Sequence, residues 1–175
     1  MKKTLGLTVL LTLLGTAAAA FARTYSYPVD RPTFSIDFPD AWNVELNTKE
    51  VAIVAQSPDK EIEYDIWKLP NREVKEDVKG ALNDAVKDVN EIIEQYVTDV
   101  SFGEWHPKTI RGMEFLWAEG QGKYKDGGQT VYMEVNFFSP DDRTIYVLVY
   151  WGTKEGENRH KAAIEQIDKS IRKAQ

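Results

Sequence analysis

The sequence predicts an α+β fold in which an antiparallel β-sheet of about seven or eight strands is sandwiched or flanked by two α-helices. Three observations support this prediction. Several short runs alternate between apolar and polar residues, two longer segments repeat their apolar residues with a helical period, and turn-forming residues separate the runs. No internal repeat or low-complexity linker interrupts the pattern, so one domain is expected.

Short strands are predicted in the first part of the chain. In residues 33–38 three apolar residues alternate with polar ones, which is typical of a half-buried strand. Further strands are predicted at residues 42–46, 51–56 and 62–69, because each run is bounded by turn residues. Together these segments predict a meander.

At residue 73 the apolar period changes from two to about three and a half residues, which predicts a long amphipathic helix over residues 73–96. Asn71 is the expected N-cap of this helix. A closing amphipathic helix is predicted over residues 154–174. The inward-facing residues are Val74, Val78, Leu82, Ala85, Val89, Ile92, Ile93 and Tyr96 in the first helix and Ala163, Ile164, Ile167 and Ile171 in the second.

Between the helices the pattern predicts four strands, at residues 101–105, 113–124, 129–138 and 144–151. Gly120 and Gly122 predict a bulge or a strong bend in the second of these. The last two strands are apolar on both faces, so the centre of the sheet should be covered on both sides, at least partly. The sequence leaves open whether the two helices lie on opposite faces or share one.

The first 22 residues predict a cleaved secretory signal peptide. Lys2 and Lys3 precede an apolar run, and Ala20-Phe21-Ala22 fits the cleavage rule, so we expect a cut before Arg23 and a single domain over residues 23–175. The alternative, a membrane anchor, would need an apolar run of about 20 residues. No cysteine follows the run, so no lipid attachment is expected. The predicted location is periplasmic or secreted, with no membrane span after cleavage.

Composition excludes several functions. A formal charge of −6, without any long basic block, argues against a nucleic-acid partner. The absence of cysteine excludes disulfides, thiolate metal sites and cysteine nucleophiles. The chain contains no nucleophile elbow, phosphate-binding loop or zinc-protease motif. We therefore predict no cofactor, no catalytic residues and no enzymatic activity.

The two histidines are the main candidates for metal ligands. Glu104 and His106 lie two positions apart and could project to one face of a strand, but a metal site needs a third or fourth donor. Glu157 and His160 have the spacing found in di-iron bundles, where a second such motif is required. We therefore predict that His106 is structural or exposed, that His160 packs at the start of the last helix, and that no metal is bound.

Aromatic residues provide the candidate binding positions. Of the five tryptophans, Trp117 and Trp151 alternate in phase with apolar neighbours and are predicted to lie in the core. Trp105 and a face that comprises Tyr132, Tyr146 and Tyr150 form either helix-covered packing or an open aromatic platform. If the platform is open, these four residues are the predicted binding residues.

The order of the elements resembles that of the PsbP-like superfamily. The resemblance rests on Phe34-Ser35-Ile36-Asp37-Phe38-Pro39 with Trp42, then a meander, one long helix, three long hairpin strands and a closing helix containing Ser170-Ile171. It implies a PsbP-like α+β fold and a non-catalytic binding or assembly role. It supplies no catalytic residues to carry over.

Taken together, these observations predict an extracytoplasmic binding or assembly module that docks on a protein of the cell envelope. One alternative is a periplasmic domain that binds a small ligand or a metal between the sheet and the long helix, with Glu104 and His106 as ligands. A second alternative is a hydrolase that uses two carboxylates.

Overall fold

The computed structural model describes residues 22–46, 51–74 and 77–175. The strands in this part of the chain are β1 (Ala22–Tyr27), β2 (Phe34–Pro39), β3 (Asn43–Leu46), β4 (Ile53–Gln56), β5 (Ile62–Glu73), β6 (Val97–Phe102), β7 (His106–Ile110), β8 (Met113–Tyr124), β9 (Thr130–Phe138), β10 (Thr144–Gly152) and β11 (Arg172–Lys173). The helices are α1 (Val78–Ala85) and α2 (Val89–Ile93), joined by a 3₁₀ turn (Val86–Asp88), and α3 (Lys154–Ser170).

The strands form two antiparallel sheets. The larger sheet has eight strands. Seven of them lie in the order β3-β4-β5-β10-β9-β8-β6, and the eighth, β7, pairs with the first half of β8. This arrangement confirms the predicted α+β class and the size of the main sheet. The smaller sheet has the order β1-β2-β11 and was not predicted. In β1 Tyr25 and Tyr27 alternate with polar residues and pack on the core, whereas β11 has only two residues and no apolar pattern.

The main sheet is covered on both faces, as the two-sided apolar pattern of β9 and β10 requires. On one face α1 and α2 contribute Leu82, Ala85, Val89 and Ile93 to a core with Val135. On the other face, α3 and the small sheet contribute to a core that includes Phe34, Ile36, Phe38, Tyr146, Leu148, Tyr150, Ile164 and Ile167. The helices therefore lie on opposite faces, which the sequence had left open.

The prediction of one long helix over residues 73–96 is wrong in two respects: the helix begins later, and it is interrupted. Strand β5 continues to Glu73, so Asn71 lies in a strand and does not cap a helix. The cap is Asp77, whose side chain accepts a hydrogen bond from the Gly80 backbone N–H. The 3₁₀ turn separates α1 from α2, a break that an uninterrupted apolar stripe does not reveal.

The C-terminal helix also ends earlier than predicted, at Ser170. The Ser170 hydroxyl accepts a hydrogen bond from the Asp37 backbone N–H at 2.8 Å. The guanidinium of Arg172 donates to both carboxylate oxygens of Asp37 at 2.9 Å. Burial alone would raise the pKa of Asp37, but the hydrogen bonds from Arg172 and Thr24 lower it below its ordinary value. This contact fixes β11 against β2.

The region predicted as one strand at residues 101–105 contains the last two residues of β6 and the connection to β7, which begins at His106. The irregular pairing lies in β6 between Thr98 and Ser101, where Asp99 has φ of 54°, and not in β8 as predicted. Gly122 has a different role, because a Cβ there would collide with the Val97 side chain and the Thr98 carbonyl oxygen. The glycine allows β6 to approach β8 closely.

Substitution Gly122→Ala should lower the free energy of unfolding by about 2 kcal/mol, because the added methyl group meets backbone that cannot easily move. Urea denaturation at equilibrium measures this change. The matched control is Gly103→Ala, where the nearest atom to the new Cβ is the Glu119 carbonyl oxygen at 3.7 Å. An equal loss of stability in both variants would contradict the proposed close approach.

Candidate binding surfaces

Trp105 lies in the short connection between β6 and β7. Its ring packs against Phe102 and Phe137 at centroid distances of 5.7 and 5.5 Å, beside the core that contains α1 and α2. Trp105 also lines a groove of about 230 Å³ between α1 and β8, together with Leu82, Pro107 and Leu116. Its ring is therefore half-buried against the core, and its exposed part forms one wall of a small groove.

Tyr132, Tyr146 and Tyr150 lie on the same face of the main sheet, opposite Trp105. Tyr146 is covered by Tyr27 and Phe34 from the small sheet, and only 1% of it is exposed. Tyr150 packs against Tyr64 beneath α3 and is 8% exposed. Of the two alternatives left open by the sequence, covered packing therefore describes Tyr146 and Tyr150. Both lie on β10, at the centre of the sheet, where the second layer covers them.

Tyr132 differs from the other two tyrosines because it lies on β9 towards the uncovered side of the sheet. Its ring is partly exposed, and the Lys154 ammonium group lies 5.4 Å from the ring centroid. Tyr132 pairs with Gln121 on β8 and with Gly152 on β10. Of these three tyrosines, Tyr132 is therefore the one that the alternative of an open platform describes.

Tyr132 belongs to a surface that we call the β9 margin. It is the part of the Tyr150 face of the main sheet that α3 does not cover. It consists of Trp117, Glu119 and Gln121 on β8 with Tyr132 and Glu134 on β9. Trp117 was predicted to lie in the core, but it is partly exposed, because β8 lies away from α3. Trp151, by contrast, is 3% exposed, which confirms its prediction.

Carboxylates face each other across the β9 margin. Glu119 is directly opposite Glu134 in the β8–β9 pairing, an arrangement of like charges that normally costs stability. Glu134 Oε1 accepts hydrogen bonds from Lys108 Nζ at 3.2 Å and from Asn136 Nδ2 at 2.9 Å. Lys108 also lies over the Trp117 ring, 5.1 Å from its centroid. The margin therefore carries two carboxylates, with Lys108 paired to Glu134 and Lys154 close to Tyr132 and Glu119.

A third carboxylate, Asp168 of α3, lies behind the margin. Its Oδ1 accepts a hydrogen bond from the Tyr64 hydroxyl at 3.1 Å. Burial raises the pKa of Asp168 to about 7, and the negative charge of Glu134 raises it further than Lys108 lowers it. A third carboxyl group, partly ionised near pH 7, therefore lies beside the margin under the edge of the helix.

The histidines do not form a metal site with their predicted neighbours. Glu104 and His106 are both exposed, and His106 packs against Trp117. His160 contacts Trp42 at 5.9 Å, as predicted for packing, and its Nε2 also lies 2.9 Å from the Asp59 carboxylate. Among residues 22–46, 51–74 and 77–175, no group of three or more His, Asp or Glu side chains could hold a metal ion.

The acidic residues of the margin were not predicted as site residues. The polar residues Glu134 and Asn136 interrupt an otherwise apolar strand, which is a visible signal in the sequence. Their pairing with Glu119 and the approach of Asp168 depend on strand register and helix placement. Neither can be obtained from periodicity alone.

Comparison with known proteins identifies structural neighbours but no sequence family. No protein-family model matches the chain, and no curated protein matches it by sequence. The cyanobacterial PsbP (CyanoP) of Synechocystis sp. PCC 6803 superposes with a TM-score of 0.60 at 12% identity, over 94% of this chain and 99% of that one. The chain adopts the PsbP-like fold.

Two further proteins share the PsbP-like fold. LpqN of Mycobacterium tuberculosis, described as involved in cell envelope biogenesis, superposes with a TM-score of 0.59 at 11% identity, over 88% of this chain and 92% of LpqN. The Saccharomyces cerevisiae Ran-binding protein Mog1p superposes with a TM-score of 0.54 at 12% identity, over 87% of this chain and 95% of Mog1p. The resemblance inferred from element order is thus confirmed at the level of fold.

Substitution Asp168→Asn should stabilise the protein at pH 8 by about 2 kcal/mol and have little effect near pH 4. The pKa of Asp168 is raised in the folded state to about 7, whereas an unfolded aspartate has a pKa of about 3.9. The stability that Asp168 contributes therefore falls as pH rises between these two values. Urea unfolding of both proteins at the two pH values measures the difference, and a difference independent of pH would contradict the assignment.

Proposed function

We propose that this protein is an extracytoplasmic, non-catalytic binding module that docks through the β9 margin on a basic segment of an envelope protein. The observation that carries the proposal is the pair of opposed carboxylates, Glu119 and Glu134, on a sheet face that α3 leaves uncovered. Charge, the aromatic side chains of the margin and the shared fold favour such a partner.

Charge complementarity favours a basic partner. Glu119 is exposed and Glu134 is paired with Lys108, while Asp168 adds a further acidic group nearby. Lys154 lies over Tyr132 but pairs with Glu157 at 2.6 Å. A Lys or Arg side chain from a partner would relieve the repulsion between Glu119 and Glu134, and complementary charge also accelerates encounter.

The aromatic side chains of the margin favour a protein partner. Tyr132 and Trp117 are partly exposed and lie on either side of the carboxylates on adjacent strands. Tyrosine and tryptophan contribute large contact areas at protein interfaces, and a surrounding polar rim is typical of such sites. The margin combines both features on a rigid sheet, which limits the entropy lost on binding.

The comparisons support binding without identifying the partner. Mog1p is described as a Ran-binding protein and LpqN as involved in cell envelope biogenesis. The N-terminal residues 1–21 lie outside the described residues, and the extracytoplasmic location is proposed from their sequence. In the part of the chain that the structure describes, no helix is long and apolar enough to span a membrane.

Site-specific photo-cross-linking in the host envelope tests the docking surface. With p-benzoylphenylalanine in place of Tyr132, we expect an adduct with one envelope protein, at a segment rich in Lys or Arg. The matched control places the same group at Tyr96, an exposed tyrosine on the opposite face of the sheet. In the Tyr132 protein, Glu119→Lys should reduce the adduct at least tenfold, and Glu114→Lys on the other face of β8 should not.

Three results would overturn the docking proposal: no adduct from position 132, equal adducts from positions 132 and 96, or an adduct that survives Glu119→Lys. Circular dichroism and urea unfolding of each variant establish that the fold is retained.

The predicted leader has its own test. Protein recovered from the extracytoplasmic fraction should have the intact mass of a chain beginning at Arg23, because Ala22 provides the small residue that the cleavage rule requires. Substitution Ala22→Leu should leave the uncleaved precursor associated with the membrane. Recovery of the full chain from the cytoplasm in both cases would contradict the proposed location.

A further inference from the structure

A second surface lies on the opposite face of the main sheet, beyond the end of α2. It is a cleft of about 430 Å³ between the residues that follow α2, the turn after β8 and the end of β10. Its walls include Glu63, Tyr96, Tyr124 and Trp151, and Lys125 and Asp126, which have opposite charges, line it as well. This volume lies within the range of about 300–1,000 Å³ that small-molecule sites occupy.

Three aromatic side chains build the walls of the cleft. The rings of Tyr96 and Trp151 meet edge to face at a centroid distance of 5.5 Å. Trp151 is held from behind by Trp67, whose ring lies at 5.8 Å and nearly perpendicular to it. Tyr124 is half-buried and packs against the same core. Core packing therefore holds these walls in place before any ligand enters.

Two carboxylates lie at and below the floor of the cleft. Glu63 lines it, and Asp65, two residues further along β5, projects from the same face of the strand and is only 5% exposed. The two side chains are hydrogen-bonded to each other and to the Trp151 indole. Gln56 Nε2 donates to Glu63 at 3.0 Å.

The hydrogen bond between the two carboxyl groups requires one proton, which Asp65 holds near neutral pH, so the negative charge of the pair lies on Glu63. In the described part of the chain, no Lys or Arg forms an ion pair with Glu63 or Asp65. Burial raises the pKa of Asp65 to about 8, and the charge of Glu63 adds to this effect. Burial also raises the pKa of Glu63, while hydrogen bonds from Gln56, Trp151 and Asp65 lower it. Burial, followed by the charges of Glu63 and Asp65, also raises the pKa of Tyr124 to about 12.

We infer that this cleft binds a small organic ammonium ion, with Glu63 as the charged hydrogen-bond acceptor and Tyr96, Tyr124 and Trp151 as aromatic walls. Aromatic faces attract cations through their quadrupole, and a desolvated site strengthens this attraction. A carboxylate at the base of such walls supplies the opposite charge, and the bound cation would compensate the charge of Glu63. The cleft and the β9 margin lie on opposite faces, so this inference does not depend on the docking proposal.

Calorimetric titration of the purified protein with 1,5-diaminopentane tests the inference. We expect one diamine to bind per chain and to raise the melting temperature, because it binds the folded state. The matched neutral probe is 1,5-pentanediol, which has the same length and should bind at least tenfold more weakly. Calcium chloride serves as the third probe and should not compete with the diamine.

Three variants distinguish the cleft from general attraction to an acidic protein. Glu63→Gln should weaken diamine binding at least tenfold, since it removes the charge and keeps the shape. Tyr96→Ala should weaken binding severalfold by removing an exposed aromatic wall. Glu94→Gln, which changes an exposed carboxylate two residues before Tyr96 and outside the cleft lining, should change the affinity less than twofold.

Four outcomes would overturn the inference. These are no diamine binding, equal binding of the diol, competition by calcium, or equal losses in Glu63→Gln and Glu94→Gln. Thermal unfolding of each free variant separates loss of binding from loss of fold.

Discussion

The two-sided apolar character of strands β9 and β10 is the constraint on which the rest of this structure depends. Every residue of β10 from Ile145 to Gly152 is buried, and its side chains enter both cores. A strand of this kind is stable only when both faces of its sheet are removed from water. The chain meets this requirement with two different layers, α1 and α2 on one side and α3 with a small sheet on the other.

The second layer depends on a contact between the two ends of the domain. Asp37 in β2 receives the guanidinium of Arg172, and its backbone N–H donates to the hydroxyl of Ser170. These bonds connect residues more than 130 positions apart in the sequence. They hold α3 and β11 against β2, so that Phe34, Ile36 and Phe38 close over Tyr146 and Tyr64.

Both candidate surfaces occur where a covering layer stops. The layer containing α3 leaves part of the β8 and β9 face uncovered, and this part is the β9 margin. Burial decreases from Tyr150 through Glu134 to Glu119. The layer of α1 and α2 ends at Tyr96, where the chain turns into β6 and leaves the cleft beside Trp151. At each boundary, carboxylates lie next to aromatic rings.

The sequence by itself determined the local features of this protein. The alternation of residue types along β2, β9 and β10 indicates each strand and its two faces, since successive side chains in a strand point to opposite faces. The helical stripe of α3 was equally local, and Ile164 and Ile167 are buried as it predicts. Element order then sufficed to suggest the PsbP-like fold.

Only the tertiary structure decided which parts of those faces remain open. Tyr132, Tyr146 and Tyr150 have the same alternation, but their exposure differs because α3 and β2 cover the centre of the sheet and not its margin. Strands β1 and β11 form through pairing with β2, which local propensity does not encode. The opposition of Glu119 and Glu134 likewise follows from strand register, and register is set by the packing of the whole sheet.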